Sequence, residues 1–276
     1  MTNKLVNVDL HIHTTASDGD LTFKEVLDMA KSLGRKAVAI TDHDSIEALQ
    51  QARDYANKIG LIFIPGIELS TKAIENVHLL GYGIDINSSA FTKKLEELKQ
   101  KRIERAFEII NKLKRFGVDL DFDINQNGTT GRLHIAKQIV KQGYAESTNE
   151  AFTLYLNEHT GKAYVAGARL TPLAGAELIK EAGGYVAIAH PLKLYKDNAL
   201  DDLIGGLKSK KLIDGLEIYY PKYTESDIRS LQKLADKHKL FTLGGSDFHS
   251  KEHGLMEEIN VLIKEDILNK LYKGEH

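Results

Sequence analysis

The chain has 276 residues, no cysteine and a formal net charge of −2, with 42% hydrophobic and 28% charged residues. This composition is that of an ordinary globular protein, and it excludes disulfides, thiolate chemistry and a globally basic nucleic-acid binder. Any metal ion must therefore be held by nitrogen and oxygen ligands. Because the N-terminal segment MTNKLVNVDL lacks a signal-peptide pattern and no apolar run could span a bilayer, we expect a cytoplasmic protein without membrane contact.

Strands and helices alternate through the first 85 residues. Short apolar runs predict strands at 4–13, 36–43, 61–70 and 77–85, and amphipathic patterns predict helices at 21–34 and 45–60. The first helix begins with the capping-box pair Thr22 and Glu25 and ends at Gly34, whereas the second ends at Gly60.

The middle of the chain carries helical patterns only. One long helix is predicted over 91–115, because apolar side chains recur there at helical spacing, at Leu95, Leu98, Ile103, Ala106, Ile110 and Leu113. Helical patterns continue through HIAKQIV and NEAFTLYL. We therefore expect residues 91–165 to form an all-helical insertion, and residues 1–90 and 166–276 to form the domain around it.

The alternation resumes after residue 165. Helices are predicted at 171–184, with Pro172 in the first turn and Gly183 past the end, and at 225–239. Apolar runs predict strands at 185–191, at 214–220 and, as the final strand, at 240–249. This order predicts an α/β fold with a parallel sheet, and six or seven strands favour a closed barrel over an open sheet.

Two histidines stand at positions i and i+2 at the end of the first predicted strand. Their side chains point to the same face of a strand, so one metal ion could bind both His11 and His13. The alternative is a polar turn whose histidines alternate by chance. This motif alone does not decide between the two interpretations.

Residues able to bind a metal ion recur at or near the ends of the other predicted strands. The carboxyl ends of the strands of a parallel barrel converge on one face, where active sites are built. A single histidine at a strand end is more often just a hydrogen-bonding residue, but repetition at one topological position favours a site. The nine candidate ligands are His11, His13, Asp18, His43, Glu68, His78, His190, Asp247 and His249.

The ordered motifs DLHIHTTASDGD, AITDHD, PGIELS, GYGID, AHP, GLEIYYP and GGSDFH resemble those of the PHP (polymerase and histidinol phosphatase) superfamily. The resemblance covers nearly the whole chain and implies a distorted (β/α)7 barrel with a helical insertion. The segment GRLHIAKQIV, at 131–140, is similar to the branch of 3',5'-nucleoside bisphosphate phosphatases and the exonuclease RNase AM, with Leu133 in place of a proline.

The resemblance also implies a site with three divalent metal ions. One ion would be bound by His11, His13, Glu68 and Asp247, a second by Asp18, His43 and His249, and a third by Glu68 as a bridge with His78 and His190. Manganese is favoured by the resemblance, with Zn²⁺, Fe²⁺ and Mg²⁺ as alternatives. The nucleophile would be a metal-bridging hydroxide held by Glu68 and Asp247. Arg132 and His134 would bind a second phosphate of the substrate, although both residues could instead be the polar start of a helix.

Three divalent ions would bring six positive charges to three carboxylates, and a phosphate ester would balance the excess. We therefore expect a metal-dependent phosphoesterase that acts on nucleotides or on short 5'-phosphorylated RNA, without an obligate protein partner. The alternatives are a histidinol-phosphate phosphatase, against which the GRLH segment speaks, an amidohydrolase-type metal hydrolase, and a non-catalytic metal-binding module.

Overall fold

The computed structural model describes residues 4–72, 76–122, 124, 131–167, 169–194, 198–250 and 256–272. The chain forms two compact units, which we call the barrel unit, residues 1–92 and 170–276, and the helical unit, residues 93–169. Within the described residues, no helix is both long enough and apolar enough to cross a membrane.

In the described residues, the barrel unit has an eight-stranded sheet with the order β7-β6-β5-β4-β3-β2-β1-β8. The strands are β1 (Leu5–Ile12), β2 (Ala37–Ile40), β3 (Ile62–Lys72), β4 (Asn76–Tyr82), β5 (Tyr185–Ile188), β6 (Gly215–Tyr219), β7 (Phe241–Gly244) and β8 (Val261–Lys264). The sheet nearly closes on itself, because Asp247 donates its N–H to the His11 carbonyl at 2.8 Å and His13 donates its N–H to the Phe248 carbonyl at 2.9 Å. The predicted α/β barrel is thereby confirmed.

The expectation of a parallel sheet is wrong at two strands. β4 runs antiparallel to both β3 and β5, and β8 runs antiparallel to β1. Only residues 73–75 separate β3 from β4, and so short a connection can join antiparallel neighbours but not parallel ones. The strand predicted to be final is also followed by β8, which has only four residues.

The structure forms the four helices predicted for the barrel unit, with the second beginning four residues later than predicted. The helices described in this unit are α1 (Phe23–Ser32), α2 (Leu49–Ile59), α6 (Pro172–Glu181), α7 (Ala199–Ser209), α8 (Glu225–His238) and α9 (Glu265–Leu271), with 3-10 turns at Pro191–Leu194 and Met256–Glu258. The capping box of Thr22 and Glu25 is formed, and Gly60 ends α2 with a left-handed φ of 70°. No helix is predicted from the sequence where α7 and α9 lie.

The helical unit has its own apolar core. Its elements are most of α3 (Ser89–Arg115), α4 (Arg132–Lys141), α5 (Thr148–Ala151) and a π-helical turn (Phe152–Leu156). Buried side chains from these elements pack together, among them Ile109, Leu113, Ile135, Ile139 and Leu156. The barrel unit has a separate core that includes Leu10, Ile64, Leu80 and Leu243.

Candidate metal centre

The structure brings all nine candidate ligands into one cluster in the barrel unit. Within the described residues, atoms that could hold a metal ion lie within 4.8 Å of one another in three groups. The groups are His13, Asp18, His43 and His249; His11, Glu68, His190 and Asp247; and His43, Glu68 and His78. The cluster lies at the carboxyl end of the parallel strands, as the strand-end pattern requires.

Two carboxylates sit between the two histidines of the first strand. His11 Nε2 lies 3.3 Å from Glu68 Oε2 and 3.1 Å from Asp247 Oδ1, and His13 Nε2 lies 3.1 Å and 3.3 Å from the same two atoms. Ligands about 2.1 Å from a common ion are roughly 3.0–3.5 Å apart. These four distances are those expected between ligands of one ion. The groups within 4.8 Å, however, join His190 to His11, Glu68 and Asp247 and place His13 with Asp18, His43 and His249, so one ion bound by both His11 and His13 stays a prediction.

The second oxygen of Glu68 faces two further histidines. Glu68 Oε1 lies 2.9 Å from both His78 Nδ1 and His190 Nε2. One buried carboxylate thus contacts imidazoles on both of its oxygens, as a ligand shared between two ions would. The assignment of His78 and His190 to a separate ion stays a prediction.

The remaining candidates form a more open edge of the cluster. His249 Nε2 lies 3.4 Å from Asp18 Oδ1, and His43 Nε2 lies 3.9 Å from Asp18 Oδ2. Side chains of these three residues are 15–19% exposed, whereas His11 and Glu68 are fully buried. This edge, together with His78, whose side chain is 23% exposed, is where water and a substrate phosphate could reach the cluster.

Four buried atoms at the centre of the cluster make no hydrogen bond to the described residues. They are His11 Nε2, His13 Nε2, His43 Nδ1 and Glu68 Oε2. Each buried polar atom without a hydrogen bond lowers the stability of the folded protein by about 1–3 kcal/mol. Four such atoms facing one another are therefore strongly destabilising unless a ligand satisfies them. Divalent ions satisfy imidazole nitrogens and carboxylate oxygens together, so these residues fit a metal centre.

The charges in the cluster also call for cations. Burial by itself would raise the pKa of Glu68, but His43, His11 and His78 outweigh burial and hold that pKa well below its usual value. Burial lowers the pKa of His43 to about 3, despite the opposing carboxylates of Glu68 and Asp18. Glu68 is therefore ionised, as a metal ligand must be. Burial would lower the pKa of His13, but hydrogen bonds to Asp247 and Glu68 outweigh burial and raise it to about 10, so a bound cation would displace that proton.

Two candidate ligands have a strained backbone. His190 has a φ of 28° and Asp247 a φ of 52°, a region that side-chain-bearing residues seldom adopt. Such strain persists only where the surrounding structure enforces it, and it concentrates at functional sites. Next to Asp247, a side chain at Gly245 would overlap the His11 backbone, so glycine lets β1 approach this segment.

Three acids that support the ligands were missed by the sequence analysis. Glu217 Oε1 lies 2.9 Å from His11 Nδ1, and Asp42 accepts hydrogen bonds from Thr14 and Ser17 beside the His13 loop. Burial raises the pKa of Asp9 to about 6, although Ser246 donates its N–H to Asp9 Oδ1. The signal for Glu217 was present, because it interrupts the apolar strand DGLEIYY as Glu68 interrupts PGIELS.

Glu217 determines which nitrogen of His11 faces the cluster. Its Oε1 accepts the Nδ1 proton of His11, which leaves Nε2 as the ligand atom, while its Oε2 accepts the N–H of His190. A glutamine side chain has the same size as glutamate, but it has only one oxygen to accept the two hydrogen bonds from His11 and His190. We therefore expect Glu217→Gln to weaken metal binding or activity by about 10–100-fold.

Metal titration and steady-state kinetics would measure this effect. The matched control is Glu225→Gln on the exposed surface of α8, whose side chain is 88% exposed. An unchanged metal affinity and unchanged activity in Glu217→Gln would show that Glu217 does not position His11.

The two predicted phosphate-binding residues lie in the first turn of α4, in the helical unit. Arg132 donates from Nη1 to the Leu156 carbonyl at 3.1 Å, and His134 Nδ1 accepts the N–H of Gly131 at 3.2 Å. The His134 contact stabilises the start of α4, and the Arg132 contact joins α4 to the end of the π-helical turn, so the role of both residues toward a substrate stays a prediction.

The chain is similar to proteins of known family over most of its length. It is 30% identical to a 3',5'-nucleoside bisphosphate phosphatase of Chromobacterium violaceum, over 91% of this chain and 90% of that protein. It is 33% identical to the 5'-3' exoribonuclease Rnm of Escherichia coli K12, over 90% and 87% of the two chains.

A solved structure has the same fold. It is described as an amidohydrolase from Chromobacterium violaceum with bound sulfate and no metal, and it matches with a TM-score of 0.84 and 28% identity, covering 96% of this chain and 95% of that one. The family model of the PHP domain matches residues 9–247, which run from the first strand to Asp247. With the ligand cluster in place, this match shows that the chain belongs to the PHP domain family.

Proposed function

We propose that the protein is a metal-dependent phosphoesterase that hydrolyses nucleotides carrying a second phosphate, namely 3',5'-nucleoside bisphosphates. Short 5'-phosphorylated RNA, trimmed from its 5' end, is the second substrate class. The buried cluster around Glu68 carries this proposal, because its unsatisfied imidazole and carboxylate atoms suit divalent ions. The names of the two curated relatives support the choice of phosphate esters.

We assign three divalent ions to the cluster, with manganese as the preferred metal. Bound divalent ions lower the pKa of water and hold the oxygens of an in-line displacement, which is the chemistry that a phosphate ester requires. The residues of the chain hold this centre in place. Glu68 links its two halves, Glu217 orients His11, and Tyr220 donates its hydroxyl to Asp247 Oδ2 at 2.9 Å.

Substrate choice requires groups beyond the metal ligands, because such a centre can act on any accessible phosphate monoester. We assign this role to the helical unit and, within it, to Arg132 and His134. A guanidinium holds a phosphate through two parallel hydrogen bonds, each strengthened by charge. A contact of this kind contributes on the order of 1.5–3 kcal/mol, or roughly one to two powers of ten in preference.

A hydrolysis screen on manganese-loaded protein tests the proposed function. We expect adenosine 3',5'-bisphosphate to be hydrolysed well ahead of adenosine 5'-monophosphate and histidinol phosphate, and short 5'-phosphorylated RNA to lose one nucleotide at a time. An acylated amino acid amide serves as the amidohydrolase control and should not turn over. Better turnover of histidinol phosphate would overturn the nucleotide assignment, and turnover of the amide alone would overturn the phosphoesterase.

Arg132→Ala should separate the two parts of the proposal. We expect the metal content to be unchanged and the kcat/KM for a 3',5'-bisphosphate to fall by about 10–100-fold, because the charge-assisted contact to the second phosphate is lost. The fall in kcat/KM for p-nitrophenyl phosphate, which has only one phosphate, should be much smaller. Arg229→Ala on the exposed face of α8 is the matched control. An equal loss on both esters would argue against this role of Arg132.

A further inference from the structure

The two oxygens of the Asp247 carboxylate have different neighbours. Oδ1 lies 3.1 Å from His11 Nε2 and 3.3 Å from His13 Nε2, among the candidate ligands. Oδ2 accepts a hydrogen bond from the hydroxyl of Tyr220 at 2.9 Å, and the side chain of Tyr220 is buried. A tyrosine hydroxyl thus occupies one oxygen of a carboxylate whose other oxygen faces two imidazoles.

Close backbone packing fixes where the Tyr220 hydroxyl lies. Tyr220 directly follows the last residue of β6, and Gly245 donates its N–H to the Tyr219 carbonyl at 3.2 Å. A side chain at Gly244 would overlap the Tyr219 backbone, so glycine lets the end of β6 approach this segment. Because Gly244 and Gly245 come just before Asp247 in the chain, the backbone itself holds the tyrosine beside the carboxylate.

The ring of Tyr220 is packed independently of its hydroxyl. It lies edge-on to the His190 ring, with the ring centres 5.9 Å apart and the planes at 70°, and its centre is 5.0 Å from that of Tyr223. Tyr223 in turn accepts the N–H of Leu192 with its hydroxyl oxygen at 2.9 Å. Removal of the Tyr220 hydroxyl alone should therefore leave the ring and the His190 segment in place, because neither packing contact uses that oxygen.

The number of oxygens that Asp247 offers decides how many positions of a metal ion it fills. A carboxylate can bind a divalent ion through one oxygen or through both. A catalytic metal site keeps one position open for water or substrate, and a second carboxylate oxygen competes for that position. The hydrogen bond from Tyr220 engages Oδ2, so it favours binding through Oδ1 alone.

We propose that Tyr220 is a positioning residue that keeps Asp247 a one-oxygen metal ligand and thereby preserves an open position at the metal for water or substrate. This role rests on the metal centre of the proposed function, but not on the identity of the substrate. It differs from the role of Glu217, which supports the affinity for metal. Loss of the Tyr220 hydroxyl should lower turnover without weakening metal binding.

Tyr220→Phe in the full-length protein tests this role, because it removes the hydroxyl alone. We expect the kcat for adenosine 3',5'-bisphosphate to fall by about 10–100-fold, while titration calorimetry of metal-free protein gives Mn²⁺ dissociation constants equal to those of the wild type or lower. The Co²⁺-loaded variant should absorb visible light more weakly than the Co²⁺-loaded wild type, because Co²⁺ absorption weakens as the number of ligands rises. The matched control is Tyr55→Phe, which removes a hydroxyl that donates to Asp28 Oδ1 at 2.7 Å between α1 and α2 and should leave all three measurements unchanged.

The thermal midpoint shows whether Tyr220→Phe is folded. Weaker binding of Mn²⁺ by the folded variant would overturn the proposal, because Tyr220 would then only strengthen a ligand as Glu217 does. An unchanged kcat or an unchanged Co²⁺ spectrum would overturn it too. If Mn²⁺ binding and the Co²⁺ spectrum behave as expected but the wild type hydrolyses p-nitrophenyl phosphate and no nucleotide, the nucleotide assignment fails, and a fall in kcat on p-nitrophenyl phosphate supports the role of Tyr220.

Discussion

Glu68→Gln should abolish hydrolysis and remove more than one equivalent of metal from the protein. Glu68 is fully buried, with Oε1 2.9 Å from His78 and His190 and Oε2 3.1–3.3 Å from three other imidazoles. Glutamine removes the negative charge and directs an amide NH₂ group, which cannot bind a cation, at one side of this ring of histidines. Because both halves of the cluster contact this carboxylate, both should lose affinity for metal.

Metal analysis of the purified variant, together with its kcat on a bisphosphate, measures the result. The control is Glu257→Gln, an exposed acid in a 3-10 turn of the barrel unit. A variant that retains the full metal complement would show that Glu68 does not bridge two ions. A variant with a lower thermal midpoint than metal-free wild type would show that Glu68 matters for folding as well.

Replacing His11 and His13 together by alanine should inactivate the enzyme. Both imidazoles contact Glu68 and Asp247, and their Nε2 atoms have no hydrogen bond to the described residues. Of the four predicted ligands of one ion, the double variant leaves only the carboxylates of Glu68 and Asp247. The group should then lose its ion, because two carboxylates alone fill half of a four-coordinate shell.

Metal content and turnover of the double variant check this expectation, with His159→Ala, exposed in the helical unit, as the control. The variant also removes the ring of His13 that stacks on His249 at 4.0 Å, so the open edge of the cluster should loosen too. Full activity in the double variant would mean that the two histidines belong to a polar turn and not to a metal site.

Local signals in the sequence were reliable where the physics is local. A capping box at Thr22 and Glu25, a left-handed glycine at Gly60 and a proline in the first turn at Pro172 each involve a few neighbouring residues. Their hydrogen bonds and backbone angles do not depend on the rest of the fold. The direction of β4, by contrast, is not a local property. An apolar run has the same pattern in a parallel and in an antiparallel strand, so the sequence did not predict that β4 is antiparallel.

The sequence by itself determined the ligand types and their positions at strand ends, since histidines and acids after apolar runs are visible without a fold. Tertiary structure decided which of these atoms meet. His11 and Glu217 are 206 positions apart, and only closure of the barrel brings the carboxylate to Nδ1 of the imidazole. Arg105 and Arg132 likewise come from separate helices and meet at the ring of Tyr164, which no spacing rule along the chain could have shown.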